Sequence, residues 1–430
     1  MNEKYRRFDT LALHAGQEPD PATLARAVPV YRTSSYVFKD AQHSAKLFSL
    51  QELGNIYTRL MNPTTDVLEK RMAALDKGVG ALALASGTAA IFCSLINCME
   101  AGHEVVSARN LYGGTYTMFN DILPKFGIKT TFVDYREPRK FREAINANTR
   151  AIFLETIGNP RLGIPDFEEI AAIAREAHVP LIVDSTFTTP YLFRPIEQGA
   201  DVVVHSLTKW IGGHGTGVGG IVVDAGRFDW TDPKFRLFAE PEPSYAGIRF
   251  AHDLGDLHPL AYILRMRLVP LRNLGACISP DNAWLFLQGL ETLSLRMERH
   301  CSNALAVARF LENHSEVAWV RYPGLTSDPC FSLAQRYFRN GSGAGVVVFG
   351  MKGGAPAAER FINRLQLFSH LANVGDAKSL AIHPASTTHS QLTEEQQMAA
   401  GAQPDLVRLS VGIEDVDDIL EDLDQAMSAA

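Results

Sequence analysis

From residue 80 the chain alternates short apolar runs with longer amphipathic ones. "GALALAS", "HEVVSA", "IKTTFVD", "RAIFLET", "VPLIVDS", "ADVVVHS" and "GGIVVDA" are brief and mostly rich in Val, Ile and Ala, and they read as strands. "GTAAIFCSLINCME", "YGGTYTMFNDILPKF" and "DFEEIAAIAREAH" lie between them and read as helices. Runs apolar along their whole length, separated by helices, predict a mostly parallel sheet covered on both faces.

The pattern changes at both ends. Residues 1–61 show short polar turns and no sustained period, which predicts an extended arm; Pro63 follows a polar cap and should open a helix. After about residue 225, "GRFDWTDPKFRLFAEPEPSYAGIRFAHD" is polar, aromatic and proline-containing, and reads as an insertion with loops. One long helix is expected over "PDNAWLFLQGLETLSLRMERHCSNALAVARFLENH". "GAGVVVFGM" and "APAAERFINRL" then suggest a smaller α/β domain. The expected division is an arm (1–61), a large domain (62–275) and a C-terminal α/β domain (276–430). A chain of 430 residues exceeds one ordinary core, so more than one domain is required.

Composition narrows the function. A formal net charge of -7 argues against a generic nucleic-acid or anionic-membrane partner. No stretch approaches the ~20 apolar residues of a membrane helix, and "MNEKYRRFDTLALHAG" lacks a signal-peptide core, so the expectation is a cytoplasmic protein. Five widely spaced cysteines without a C-x-x-C pair fit reduced thiols, with Cys93 and Cys98 in an apolar helical pattern where packing is the simpler role.

In open parallel sheets, ligands gather outside the carboxyl ends of the strands. Ser86, Gly87 and Thr88 follow the first strand and open a helix, a place for phosphate or for an ordinary N-cap. Asp184 ends "LIVD"; it either caps the next turn or faces a cationic ring nitrogen. Ser206, Thr208 and Lys209 follow "ADVVVH", where two hydroxyls suit a phosphate. A lysine against an apolar wall loses proton affinity and becomes a nucleophile; the alternative is a surface lysine. Phosphate site, carboxylate and lysine are together the parts that pyridoxal phosphate requires. Gly215-Thr216-Gly217-Val218-Gly219-Gly220 formally matches G-x-G-x-x-G, but it precedes a strand instead of opening a helix, which disfavours a dinucleotide site.

"ASGTAAI", "NLYGGTY", "ETIGNP", "VDSTFTTP", "SLTKWIGGHG" and "RLSVGIED" resemble, in this order, the Cys/Met-metabolism family of pyridoxal-phosphate enzymes. The resemblance spans about residues 7–428 and implies an aspartate-aminotransferase-like fold: a three-layer, mostly parallel seven-stranded sheet, a smaller C-terminal α/β domain and an N-terminal arm. "GNIYTRLMNPTTDVLEKR", the insertion and "NVGDAKSLAIHPASTTHSQL" look like the O-acetylhomoserine sulfhydrylase branch. Cystathionine and methionine γ-lyases carry alanine before "TK" and tyrosine after it; Leu207 and Trp210 stand here.

The resemblance implies roles by position. Lys209 matches the Schiff-base lysine, and Asp184 the partner of the pyridinium nitrogen. Gly87, Thr88, Ser206 and Thr208 match phosphate-binding positions, and Tyr112 matches the tyrosine that stacks on the cofactor ring. Tyr57 and Arg59 match a pair reaching the neighbouring subunit's phosphate, which implies a homodimer doubled to a homotetramer. Arg408 matches the grip on the substrate α-carboxylate, and Asn159 and Ser379 match positions near cofactor and substrate. His383 and His389 read as structural, and no metal is expected. The implied reaction is γ-replacement on O-acetyl-L-homoserine by sulfide or a related thiol, in methionine biosynthesis. Cystathionine γ-synthesis from cysteine, O-succinylhomoserine as the donor ester, γ-elimination and a non-catalytic binding module are the alternatives.

Overall fold

The computed structural model describes residues 7–388, 390, 393, 395, 397 and 401–428. Seven strands form the large sheet: β1 (Gly80–Leu84), β2 (Glu104–Ala108), β3 (Lys129–Val133), β4 (Thr149–Glu155), β5 (Leu181–Asp184), β6 (Val202–Ser206) and β7 (Gly220–Asp224). Their order is β1-β7-β6-β5-β4-β2-β3. β2 runs parallel to β3 and β4, and β4 to β5, whereas β7 is antiparallel to β1 and β6. Residues 207–219 hold turns and glycines, with no crossover helix, so the chain returns beside β6 in the opposite sense.

The described residues pack as two compact units. The first takes those up to Met99, Asp201–Thr208 and Thr216–Glu291; the second takes Glu100–Ala200, Lys209–Gly215 and those from Thr292 onward.

In the first unit the helix Pro63–Asp76 starts where the sequence places it. The Asn62 side chain accepts the Thr64 N–H at 2.9 Å, and the helix ends on left-handed Lys77. Asp76 meets His205 of β6 at 2.7 Å, both fully buried. A buried acid and imidazole need each other there, since neither has water. The arm is more ordered than its polarity predicts. It forms helices Phe8–His14 and Ala41–Phe48, the first burying Phe8, Leu11 and Ala12 and the second capped by Asp40. The insertion is not only loops either. Trp230 stacks on Phe238 at 4.3 Å and on Tyr262 at 5.0 Å, and the Tyr262 hydroxyl donates to the Ser94 carbonyl at 2.7 Å.

The second unit holds β2 to β5 and a five-stranded sheet of β8 (Val317–Arg321), β9 (Val346–Met351), β10 (Ser369–His370), β11 (Leu380–Ile382) and β12 (Leu406–Ser410), in the order β10-β11-β12-β9-β8. Val347, Phe349, Val407 and Leu409 from its two central strands bury against Phe361 and Ile419 of helices Gly354–Arg364 and Val416–Ser428. Two expected helices are broken. The one after Tyr112 is a short α-helix (Gly113–Thr117), a π turn (Met118–Ile122) and a 3-10 turn (Leu123–Phe126), because Pro124 cannot continue the α ladder. The long helix from Pro280 is two helices, Pro280–Glu291 and Leu293–Glu312, parted at β-branched Thr292, whose φ of -115° and ψ of 13° are not helical.

Candidate active site

The first unit holds a candidate anion cradle. β1 turns directly into the helix Gly87–Ile96. The Ser86 hydroxyl accepts the Ala89 N–H at 3.0 Å, and the Ser86 carbonyl accepts that of Ala90 at 3.0 Å. The first two helical N–H groups, of Gly87 and Thr88, have no intrahelical acceptor and lie at the positive end of the helix dipole. Gly87 has to be glycine. A Cβ there would stand 2.6 Å from Ser206 Cβ and 2.9 Å from its Oγ, because the end of β6 presses on the helix start. Gly220 serves the same approach, since its Cβ would fall 2.1 Å from the Ser86 carbonyl oxygen. Thr208 follows at the strand end, its Oγ1 accepting the Gly219 N–H at 3.1 Å and facing the Gly219 carbonyl at 3.2 Å. The N-cap and phosphate readings are thus compatible: Ser86 caps, and Gly87, Thr88 and Ser206 gather donors suited to a phosphate. Tyr57 and Arg59 lie in the arm, with Tyr57 exposed and the guanidinium 5.2 Å above its ring.

The second unit carries the candidate reactive side chains. Trp210, fully buried, fixes the segment after β6. Gly345 and Gly375 leave room for its ring, and the His300 ring meets it edge-on at 4.7 Å. Arg296 donates to the Trp210 and Ile211 carbonyls at 2.6 and 3.1 Å. Gly213, at φ 73°, admits this arginine, since a Cβ would meet its Nη1 at 2.1 Å. On this anchored segment Lys209 Nζ donates to Asn373 Oδ1 at 2.6 Å. Burial, and then the charge of Arg408, lower the Lys209 amine to about 8. It is no solvated surface lysine, and an amine lowered this far is a nucleophile and proton carrier near neutral pH.

Arg408 lies on β12, between β9 and β11, and is 4% exposed. Its Nη1 donates to Asn159 Oδ1 at 3.0 Å and its Nη2 to the Asn373 carbonyl at 3.3 Å, while its buried Nε has no partner among the described residues. Desolvation lowers its guanidinium to about 10. A buried cation with an unused donor suits a carboxylate ligand. Asn373 therefore touches Lys209 with its side chain and Arg408 with its main chain.

Asp184 ends β5. One oxygen accepts the Thr186 N–H at 2.9 Å, so the turn-capping reading holds for that oxygen. The Tyr112 N–H donates to Glu155 Oε1 at 2.8 Å, and its half-exposed ring lies so close to Gly114 that a Cβ there would be 2.6 Å from Cε1. Ser379 is engaged inside the protein: it donates to Glu414 Oε2 at 2.9 Å and accepts the Gly412 N–H at 2.8 Å. His383 is bonded by both nitrogens, to Ser386 Oγ and the Pro404 carbonyl. His389 lies outside the described residues. Cys93 and Cys98 are buried, and burial pushes the Cys93 thiol up to about 11.

Glu155 and Asn373 were missed from sequence. Glu155 ends β4 as Asp184 ends β5, an acid after an apolar run, so the signal that singled out Asp184 applies equally to it. Asn373 opens the branch-like stretch "NVGDAKSLAIHPASTTHSQL", but nothing there marked the residue itself, and its partner lies 164 residues away in the chain.

The sequence model of the Cys/Met metabolism PLP-dependent enzymes matches residues 9–428. The chain is 56% identical to O-acetyl-L-homoserine sulfhydrylase of Leptospira meyeri, over 97% of this chain and 96% of that one. It is 53% identical to homocysteine synthase of Schizosaccharomyces pombe, over the full length of both. A crystal structure from Campylobacter jejuni, assigned as an O-acetylhomoserine (thiol)-lyase and holding N'-pyridoxyl-lysine-5'-monophosphate, superposes with a TM-score of 0.95 at 41% identity, covering 98% of this chain and all of that one. The anion cradle, the lysine of lowered basicity and the buried arginine thus stand on a fold and sequence shared along nearly the whole length, and the chain belongs to the Cys/Met metabolism family of PLP-dependent enzymes.

Proposed function

We propose that this chain catalyses PLP-dependent γ-replacement on O-acetyl-L-homoserine, with sulfide or a related thiol giving L-homocysteine and acetate. The observation that carries the reading is 50–56% identity, over almost complete lengths, to relatives that include O-acetyl-L-homoserine sulfhydrylases and a homocysteine synthase. Each unit supplies donors that fit the cofactor: the first a cradle for the phosphate (Gly87, Thr88, Ser206, Thr208), the second a lysine for the aldehyde and a carboxylate for the ring nitrogen. Bound pyridoxal phosphate supplies an electron-accepting ring that stabilises negative charge at the substrate Cα.

The chain supplies the rest. Arg408 turns its guanidinium to the substrate α-carboxylate, with Asn159 holding Nη1 in place. Lys209 takes the proton from Cα, and its lowered basicity leaves a useful fraction unprotonated at neutral pH. A proton then leaves Cβ and acetate leaves Cγ; hydrosulfide adds at Cγ, and protons return first to Cβ and then, from Lys209, to Cα. Asp184 holds the proton on the ring nitrogen, and Tyr112 stacks on the ring and assists departure of acetate. Asn373 parks the lysine amine when it is free. Ser379 supports the substrate pocket through Glu414.

The functional division follows these roles: residues 1–61 an arm, 62–275 the cofactor domain, 276–430 the C-terminal domain. Tyr57 and Arg59 would complete the phosphate site of a second copy, in a dimer doubled to a tetramer. Among the described residues no helix is long and apolar enough to cross a membrane, and we place the enzyme in the cytoplasm. The reading is tested by giving purified protein O-acetyl-L-homoserine with and without sulfide and identifying products by mass spectrometry. Homocysteine only with sulfide supports it. 2-Oxobutyrate and ammonia in both tubes would make the enzyme a γ-lyase, and cystathionine formed from cysteine in preference to homocysteine would make it a synthase.

A further inference from the structure

Glu155 and Asp184 close adjacent parallel strands and are direct partners in their register. Two carboxylates side by side at strand ends, Glu155 buried and Asp184 partly so, cannot both ionise without a cost unless a cation lies between them. Glu155 is 7% exposed, and among the described residues no Lys, Arg or His forms an ion pair with it. Among the described residues its one hydrogen bond is from the Tyr112 N–H at 2.8 Å, in the loop that opens the Gly113–Thr117 helix. The group that faces it from β5 is Asp184, also an acid. Burial first, and then the Asp184 charge, hold the Glu155 carboxyl well above the usual carboxylate range.

We propose that Glu155 is a positioning residue kept as a neutral carboxylic acid, which anchors the main chain of Tyr112 and leaves Asp184 as the one negative charge offered to the cofactor ring. The inference rests on the cofactor reading above and goes beyond it by joining two roles. The tyrosine that covers the ring and the carboxylate that meets its nitrogen share one uncharged neighbour. An ionised Glu155 would place a second charge beside Asp184 and strengthen the grip on the ring proton. A missing side chain would free the Tyr112 turn.

The test uses the full chain with and without pyridoxal phosphate, and the variants Glu155→Gln and Glu155→Ala. Glutamine keeps the shape, the acceptor and the neutral charge. It should hold pyridoxal phosphate within about twofold of wild type, with the same pH titration of cofactor absorbance. Alanine loses the anchor, and its cofactor dissociation constant should rise about five- to tenfold. The infrared difference spectrum of wild type minus Glu155→Gln at pH 7 should contain the carbonyl stretch of a protonated carboxylic acid. Absence of that band, or a glutamine variant as weakened as alanine, overturns the proposal. The band is read on the protein itself, so it decides the state of Glu155 even if the alanine variant does not fold. A wild-type chain that takes up no pyridoxal phosphate would refute the functional reading instead.

Discussion

The lowered basicity of Lys209 predicts how fast the cofactor-free chain captures pyridoxal phosphate at each pH. Only the neutral amine can attack an aldehyde. An ordinary lysine at 10.5 is unprotonated in about one molecule in a thousand at pH 7.4. With Lys209 lowered to about 8, the fraction is about a fifth. The direction follows from the causes: burial and the Arg408 charge both disfavour the ammonium, so the reactive form is lost as pH falls through about 8. Capture, followed by stopped-flow absorbance of the lysine-bound cofactor from pH 6 to 10, should rise about tenfold per pH unit and flatten above about pH 8. Burial is the larger of the two causes. Replacing Arg408 with Met should therefore raise the midpoint by less than half of the distance back to 10.5. A wild-type rate still climbing at pH 10, or an Arg408→Met midpoint below that of wild type, would refute the reasoning.

Three further outcomes are expected. Gly87→Ala forces a Cβ to within 2.6 Å of Ser206 Cβ, so thermal melting should show a loss of about 1–3 kcal/mol and fluorescence titration a weaker hold on pyridoxal phosphate. Arg408→Lys keeps the charge and loses the fork, so kcat/KM for O-acetyl-L-homoserine should fall about 100-fold, a drop read from steady-state kinetics. Ser379→Ala leaves Glu414 and the Gly412 N–H short of a partner; denaturant melts should show a loss of about 1–3 kcal/mol with KM within about twofold of wild type. A raised KM with an unchanged melt would instead make Ser379 a direct substrate contact.

Much of this protein was legible before any coordinates because its chemistry sits at regular places. Apolar runs reveal strands, and in a parallel sheet the residue after each run stands at the edge where ligands gather; that reasoning makes Asp184 and the Ser206–Lys209 stretch candidates, and Asp184 and Ser206 do end β5 and β6. The polar arm and insertion misled for the converse reason. Their short helices and the Trp230–Phe238–Tyr262 stack draw stability from contacts far along the chain, so local polarity carries little information about them. The break at Thr292 misled for another reason: apolar periodicity continues across it, and one β-branched residue is a weak local signal.

Strand positions, the candidacy of Gly87 and Lys209 and the family are therefore legible in the residue order alone, because each depends on neighbours within a few positions or on motifs in a fixed succession. The low basicity of Lys209 is not. It comes from burial and from Arg408, and the amine rests on Asn373, 164 residues away. Nor could any local pattern say that Ser379 turns to Glu414, or that Glu155 would lie beside Asp184. Those facts belong to strand pairing and to loops closing over long stretches of chain, where folding brings together groups that the sequence keeps apart.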